Sequence, residues 1–279
     1  MNFKMPAYLS SVSILLFLNK VQTVLANGDD EHAEEVEKVA AFAIDEFIRT
    51  SSIRIAIAAG LILIVLVIIS SVIKEKSEPA KKILFGLMTT AIVLPTLYFV
   101  LSTLYLNFVS YTRGPVHRHA DFRIFVCGEE IRLKGPDGFL SNRVGTPVFH
   151  HHDDARIHIE GAVVNHSDVS LSSFFRVVGG NLSQSSFSIP AEGGLLEINN
   201  HDSCPDGSEG EWQVFLYKTD GAVATQTKLE NYTDYVPSPE VNVPPGDCII
   251  FEFDSPKDKT GYLCRFYEIS RDKGDLEIR

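Results

Sequence analysis

Cysteine is absent from the first 126 residues of this 279-residue chain, and only four occur beyond them. None of the four belongs to a C-x-x-C pair, so the common zinc-ribbon and thioredoxin-like signatures are missing. Also missing are an H-E-x-x-H helix, a G-x-S-x-G elbow and a phosphate-cradling glycine loop. No motif therefore points to a metalloprotease, an esterase or a nucleotide-handling enzyme. Positive charge is scarce: 25 Lys+Arg stand against 36 Asp+Glu, a formal net of −11. Nucleic acid is a poor match for such a surface, because phosphate binding depends on concentrated Lys and Arg. Cations match it better.

Charge is missing altogether from two long runs. Residues 55–73 form an uncharged stretch of nineteen, enough to cross a hydrocarbon core of roughly 30 Å at about 1.5 Å per residue. A second covers 83–109, where Pro95 predicts a kink. Together they read as a transmembrane hairpin with spans at 53–73 and 83–109. The loop between, "KEKSEPAKK" at 74–82, holds four lysines. The positive-inside rule puts this loop in the cytoplasm and both flanks outside, although Arg49, Arg54, Arg113 and Arg118 pull the other way. Residues 1–26 carry Lys4, an apolar run and a small-residue ending at Ala26, the pattern of a secretory signal, which demands the same topology. The expectation is a multi-pass cell-membrane protein whose N-terminal segment and C-terminal domain are both extracytoplasmic.

Residues 27–52 read as an acidic extracytoplasmic helix that continues into the first span. Acids crowd its first turns, and Val36, Val39, Ala40, Ala43, Ile44 and Phe47 recur at three and four. Residues 110–279 form an outer domain large enough for its own core, with 16 Lys+Arg against 26 Asp+Glu. All the cysteines lie here: Cys127, Cys204, Cys248 and Cys264. An even count on the oxidising side suggests two disulfides and leaves three connectivities open.

Within this domain "DFRIFVCGEEIRL" at 121–133 alternates around a Cys-Gly-Glu centre, as a β-hairpin does. Residues 155–164 read as a further strand. "DVSLSSFFRVVGG" at 168–180 reads as a short amphipathic helix, capped by Asp168 or Ser170 and stopped by Gly179-Gly180. "SFSI", "GLLEI" and "EWQVFLYK" read as strands. So do "PPGDCIIFEFD" and "YLCRFYEI", paired across "SPKDKTG". That last hairpin would bring Cys248 to Cys264 and leave Cys127 for Cys204. The fold class is α+β, β-grasp-like, with a β-sandwich as the alternative.

Histidine, in contrast, is plentiful and clustered: seven of nine lie between His117 and His166. His117 and His119 are two apart, which on a strand puts both rings on one face, and His158 with Glu160 repeats the spacing. The "HHHDD" run at 150–154 adds His150, His151, His152, Asp153 and Asp154 on an adjoining loop. Such donors suit Zn²⁺ or Cu²⁺, whose imidazole bonds are about 2.0 Å and need ring nitrogens converging from separate segments. The bland counterpart is a set of half-buried strand histidines beside a solvated turn. A catalytic zinc would also need an open position and a base, for which Glu160, Asp153 or Asp154 qualify; a metal-dependent hydrolase is thus a third class. Clustered imidazoles titrating near pH 6.5 also suit a pH-sensing interface. The competing class is therefore a cell-surface interaction or assembly module, with a membrane partner or sister copies docking on exposed aromatic surface around Tyr232, Tyr235 and the Pro-rich stretch 236–246.

"GPVHRHADFRIFVCGEEIRL" and "HHHDDARIHIEGAVVNHSDVSLSSFF" resemble a group of uncharacterised prokaryotic membrane-anchored proteins. Their outer domain opens with an H-x-H-A-D-F strand, continues through a His-rich loop, an I-H-x-E/H strand and an S/T-L-x-x-F-F helix, and closes with a G-D-x-I-x-I-x-F strand, here "GDCIIFEF". The likeness spans 114–254. It implies the order of parts and the pairing of His117, His119, His158 and Glu160, and it names no reaction. Arg118 stands where an aromatic is more usual, and pointed inward it would bring a positive charge to the site. The leading expectation is a membrane-tethered domain that binds zinc or copper through His117, His119 and His158, with Glu160, His150 and His152 as further ligands.

Overall fold

A computed structural model describes residues 30–137, 142–238 and 246–279, with side chains from residue 47 onward. The signal-like segment, the acidic side chains up to residue 46 and the centre of the Pro-rich stretch lie outside the described residues. The chain divides into two units, Met1–Ser102 and Thr103–Arg279.

Two helices dominate the first unit: α1 (Asp30–Val72) runs without a break from the acidic segment through the first apolar run, and α2 (Glu78–Val109) is continuous across Pro95. Phe47–Val72 and Glu78–Val109 are long and apolar enough to cross a membrane. Their large side chains face outward, Ile57, Leu61, Leu94 and Leu101 among them. Continuous apolar surface of this kind marks a lipid or protein interface.

The second unit is α+β. Among the described residues its main sheet is mixed and nine-stranded, in the order β12-β10-β9-β11-β1-β5-β4-β3 with β2 paired to β1. The strands are β1 (Val116–Val126), β2 (Glu129–Ile131), β3 (Val144–Gly145), β4 (Phe149–His151), β5 (Arg156–Gly161), β9 (Glu211–Asp220), β10 (Val223–Leu229), β11 (Cys248–Asp254) and β12 (Glu277–Ile278). A second, three-stranded sheet holds β6 (Asn181–Leu182), β7 (Ser186–Ala191) and β8 (Gly194–Asn199). Cys127 and Gly128 form the β1–β2 turn with φ +50° and +87°, the left-handed pair that a two-residue hairpin of matching twist requires. Helix α3 (Leu171–Val177) starts at Ser170, whose side chain accepts from the Ser173 amide.

Alternation along the central strands separates two apolar layers. Ala120, Phe122 and Ile124 of β1, Val214 and Leu216 of β9, and Ile249 and Phe251 of β11 join Leu171, Phe174 and Phe175 of α3 on one face. Phe125, Phe215, Tyr217 and Ile250 join Tyr267 of helix α4 (Arg265–Asp272) on the other. Strands covered on both faces read as near-continuous apolar runs, as "CIIFEF" does.

Residues 262–269 are not the strand that alternation suggests. Leu263 and Tyr267 are buried four apart while Arg265 between them is exposed, which is the period of a helix, and α4 begins there. Strand β11 pairs instead with β1 in parallel and with β9 antiparallel. Cys248 and Cys264 are nonetheless bonded, joining the start of β11 to the start of α4, and Cys127 is bonded to Cys204. Nor are His150 and His151 on a loop: both belong to β4.

Candidate metal centre

Register builds the site. β1 runs antiparallel to β5 with His117 opposite Glu160 and His119 opposite His158; β4 runs antiparallel to β5 with His150 opposite His158. His119, His158 and His150 therefore form one rung across three strands, and His117 with Glu160 form the next. These residues share the sheet face that α4 covers elsewhere. On the rung beyond, the buried Asp121 carboxylate accepts from Arg156 Nε at 2.7 Å, and the Arg156 guanidinium lies 4.4 Å from the Phe266 ring of α4. His151 has the opposite parity and points into the α3 layer, 6.2 Å from the Phe174 ring. Arg118 also points away from the cluster, donating to the Tyr111 hydroxyl at 2.6 Å, so its charge stays out of the site.

The donors fall into two groups, His150 with His152 and His158, and His117 with His119 and Glu160, and either could hold a metal ion. In each group the offered ligand atoms lie within 4.8 Å of one another. In the second, His117 Nε2 is 3.1 Å from His119 Nε2 and 3.3 Å from Glu160 Oε1. Two ligands about 2.0 Å from a tetrahedral ion are about 3.3 Å apart, so these separations are those of a ligand set. The His119 and His158 rings meet edge to face at 4.7 Å, and His150 stacks parallel on His158 at 5.4 Å.

The first group is the drier. His150 is fully buried and neither of its ring nitrogens has a hydrogen-bond partner among the described residues; Nδ1 of His158 is likewise buried and unpartnered. An orphaned buried polar atom costs about 1–3 kcal/mol, so three on one face demand an account. Two outer contacts orient the rings. His158 Nε2 donates to Asp154 Oδ2 at 2.8 Å, which leaves Nδ1 with its lone pair, and His152 Nδ1 donates to the Asn142 carbonyl at 2.6 Å, which frees Nε2. Metal-ligating imidazoles are held in this way by a carboxylate or carbonyl behind them.

Burial favours the neutral ring at His119 and His150, the form that ligates a metal. Burial, then the fields of His158, Arg156 and His117, lower His119 to about 4. Burial also lowers His150 and His151. Burial alone would raise the Asp154 carboxyl, but the hydrogen bond and charge of His158 outweigh it and bring Asp154 down to about 2.

All six donors singled out from the sequence thus meet on one face, but in a grouping that spacing does not reveal: His158 goes with β4, and Glu160 goes with β1. The Asn142 carbonyl has no sequence signal, since any residue supplies one. Outside the cluster, His166 packs edge-on against Tyr111 and His201 faces Glu209 at 3.6 Å. The aromatic surface proposed for docking is otherwise engaged: Tyr232 is buried and donates to the Ser183 carbonyl, and Tyr235 donates to Asp247 Oδ2 at 2.6 Å. No protein-family model, curated protein or solved structure matches the chain. Geometry alone therefore bears on function.

Proposed function

We propose that this is a membrane-anchored protein whose extracytoplasmic domain binds a divalent transition-metal ion, zinc or copper, at His150, His152 and His158. The observation that carries this reading is His150: a residue 0% exposed whose two ring nitrogens have no hydrogen-bond partner among the described residues, beside two imidazoles whose lone pairs are fixed by Asp154 and Asn142. Three imidazoles from two adjacent strands and their turn are the donor set of a zinc or copper site, and a soft thiolate set is unavailable because all four cysteines are bonded to each other. Support for the outer location comes from those disulfides, from the lysine-rich segment 74–82 between the apolar helices, and from the signal-like start. The net negative domain favours accumulation of cations at its surface.

Equilibrium dialysis of the full-length chain in detergent, purified without a histidine tag, tests this. The wild-type chain retains Zn²⁺ and Cu²⁺, and a variant carrying His150→Ala, His152→Ala and His158→Ala loses the buried site while keeping its helical circular dichroism. Equal retention by both proteins would refute the assignment.

A further inference from the structure

We propose that Glu160 bridges two metal ions, so that the two histidine groups form one dinuclear centre; this rests on the metal-binding reading above. The carboxylate lies between the groups. Its Oε1 is 3.3 Å from His117 Nε2 and 3.7 Å from the lone-pair atom of His158, Nδ1, while its Oε2 is 3.9 Å from His150 Nε2. One oxygen thus faces the His117–His119 group, and the carboxylate as a whole also borders the buried group.

Counting donors argues against a single ion. Five imidazoles and a carboxylate share this face, whereas a tetrahedral zinc or copper takes about four ligands. An ion at His150, His152 and His158 leaves His117 and His119 with their Nε2 atoms converging at 3.1 Å, and His117 Nε2 3.3 Å from Glu160 Oε1. That is the arrangement of a second coordination position, and carboxylate-bridged pairs elsewhere hold their ions about 3.5–4 Å apart. Register explains why the bridge is Glu160: among the described residues it is the only carboxylate on the two histidine rungs, directly opposite His117 and two residues beyond His158 on the same strand face. Asp154 is already committed to His158 Nε2, and Asp121 to Arg156. The second group is the more open, with the His117 side chain 68% exposed against 1% for His150, so the two ions differ in solvent access.

The test uses the full-length chain in detergent, stripped with chelator, loaded with Zn²⁺, desalted and analysed for zinc. Two zinc ions per chain are expected for the wild type, and one for the His117→Ala/His119→Ala variant, which keeps the buried group. Glu160→Ala is expected to hold one or none. A single zinc in the wild type, or two in Glu160→Ala, overturns the bridge while the buried site stands. No zinc in the wild type overturns both readings. A second measurement needs no variant. Loading with Cu²⁺ gives an isolated-ion paramagnetic resonance spectrum at one equivalent and a spin-coupled pair at two. Two uncoupled signals at two equivalents overturn the bridge.

Discussion

Asp154 lies in the tight β4–β5 turn and His158 in β5, and the carboxylate accepts the His158 Nε2 proton at 2.8 Å. This one contact chooses the tautomer of the central ring. With the proton fixed on Nε2, Nδ1 faces the other donors, and the hydrogen bond raises its basicity. Replacing Asp154 by Ala leaves the ligands in place but frees the ring to turn or change tautomer. Zinc affinity is expected to fall by about 10–100-fold, the usual cost of removing such an orienting partner. Competition against a chromophoric chelator measures it, and unchanged affinity would mean that Asp154 does not set the ring.

The turn itself is strained. Ala155 has φ +54° and Asp153 φ +67°, in the left-handed region that alanine rarely adopts. A left-handed alanine costs about 1–2 kcal/mol, and glycine gives part of that back through its greater freedom when unfolded. Ala155→Gly is therefore expected to stabilise the domain by about 0.5–1 kcal/mol in thermal unfolding. A destabilised variant would show that the turn conformation is not the one described.

Gly145 controls the other side of β4. It has φ +116°, and a Cβ there would sit 2.5 Å from the Phe149 carbonyl oxygen and 3.0 Å from His150 Cα. Gly145→Ala is expected to push β4 away and weaken zinc binding at His150, His152 and His158 more than at His117 and His119. Zinc titrations of the two groups, each isolated by mutating the other, compare these effects. Equal losses would contradict the local origin.

Acid should destabilise the metal-free protein through the same imidazoles. Burial is the first cause of the lowered values at His119, His150 and His151, so the folded state holds these rings neutral while the unfolded chain protonates them near pH 6.5. The unfolded state then binds more protons, and stability falls as the pH drops below about 6.5 toward the His119 value of about 4. In excess chelator, the unfolding temperature is expected to be flat from pH 7.5 to 6.5 and to decline by pH 5, less steeply in His119→Gln. A midpoint that rises on acidification would exclude neutral, buried rings.

Much of this architecture is legible in the residues. The spacing of His117 with His119 and of His158 with Glu160 places four donors on one face once β1 and β5 are neighbours, because strand side chains alternate with period two. The Cys127-Gly128 turn and the Ser170 cap follow from local preference alone. What spacing does not carry is register between distant segments. His150 meets His158 only because Asp153 and Ala155 adopt positive φ, and alanine gives no warning of that. Helix α4 is hidden for another reason: Leu263 and Tyr267, four apart, satisfy both the strand and the helix period, and only the exposure of Arg265 separates them. The parallel pairing of β1 with β11 joins residues more than a hundred apart, beyond the reach of any local pattern.

The central claim, that imidazoles from separate strands meet on a transition-metal ion, is tested most directly by X-ray absorption at the zinc K-edge of the loaded full-length chain. The account predicts a first shell near 2.0 Å with the outer-shell scattering of several histidine rings, reduced on mutation of His150, His152 and His158 and lost when His117 and His119 are replaced as well. A shell of oxygen alone, or histidine scattering that survives that mutation together with His117→Ala and His119→Ala, would contradict it.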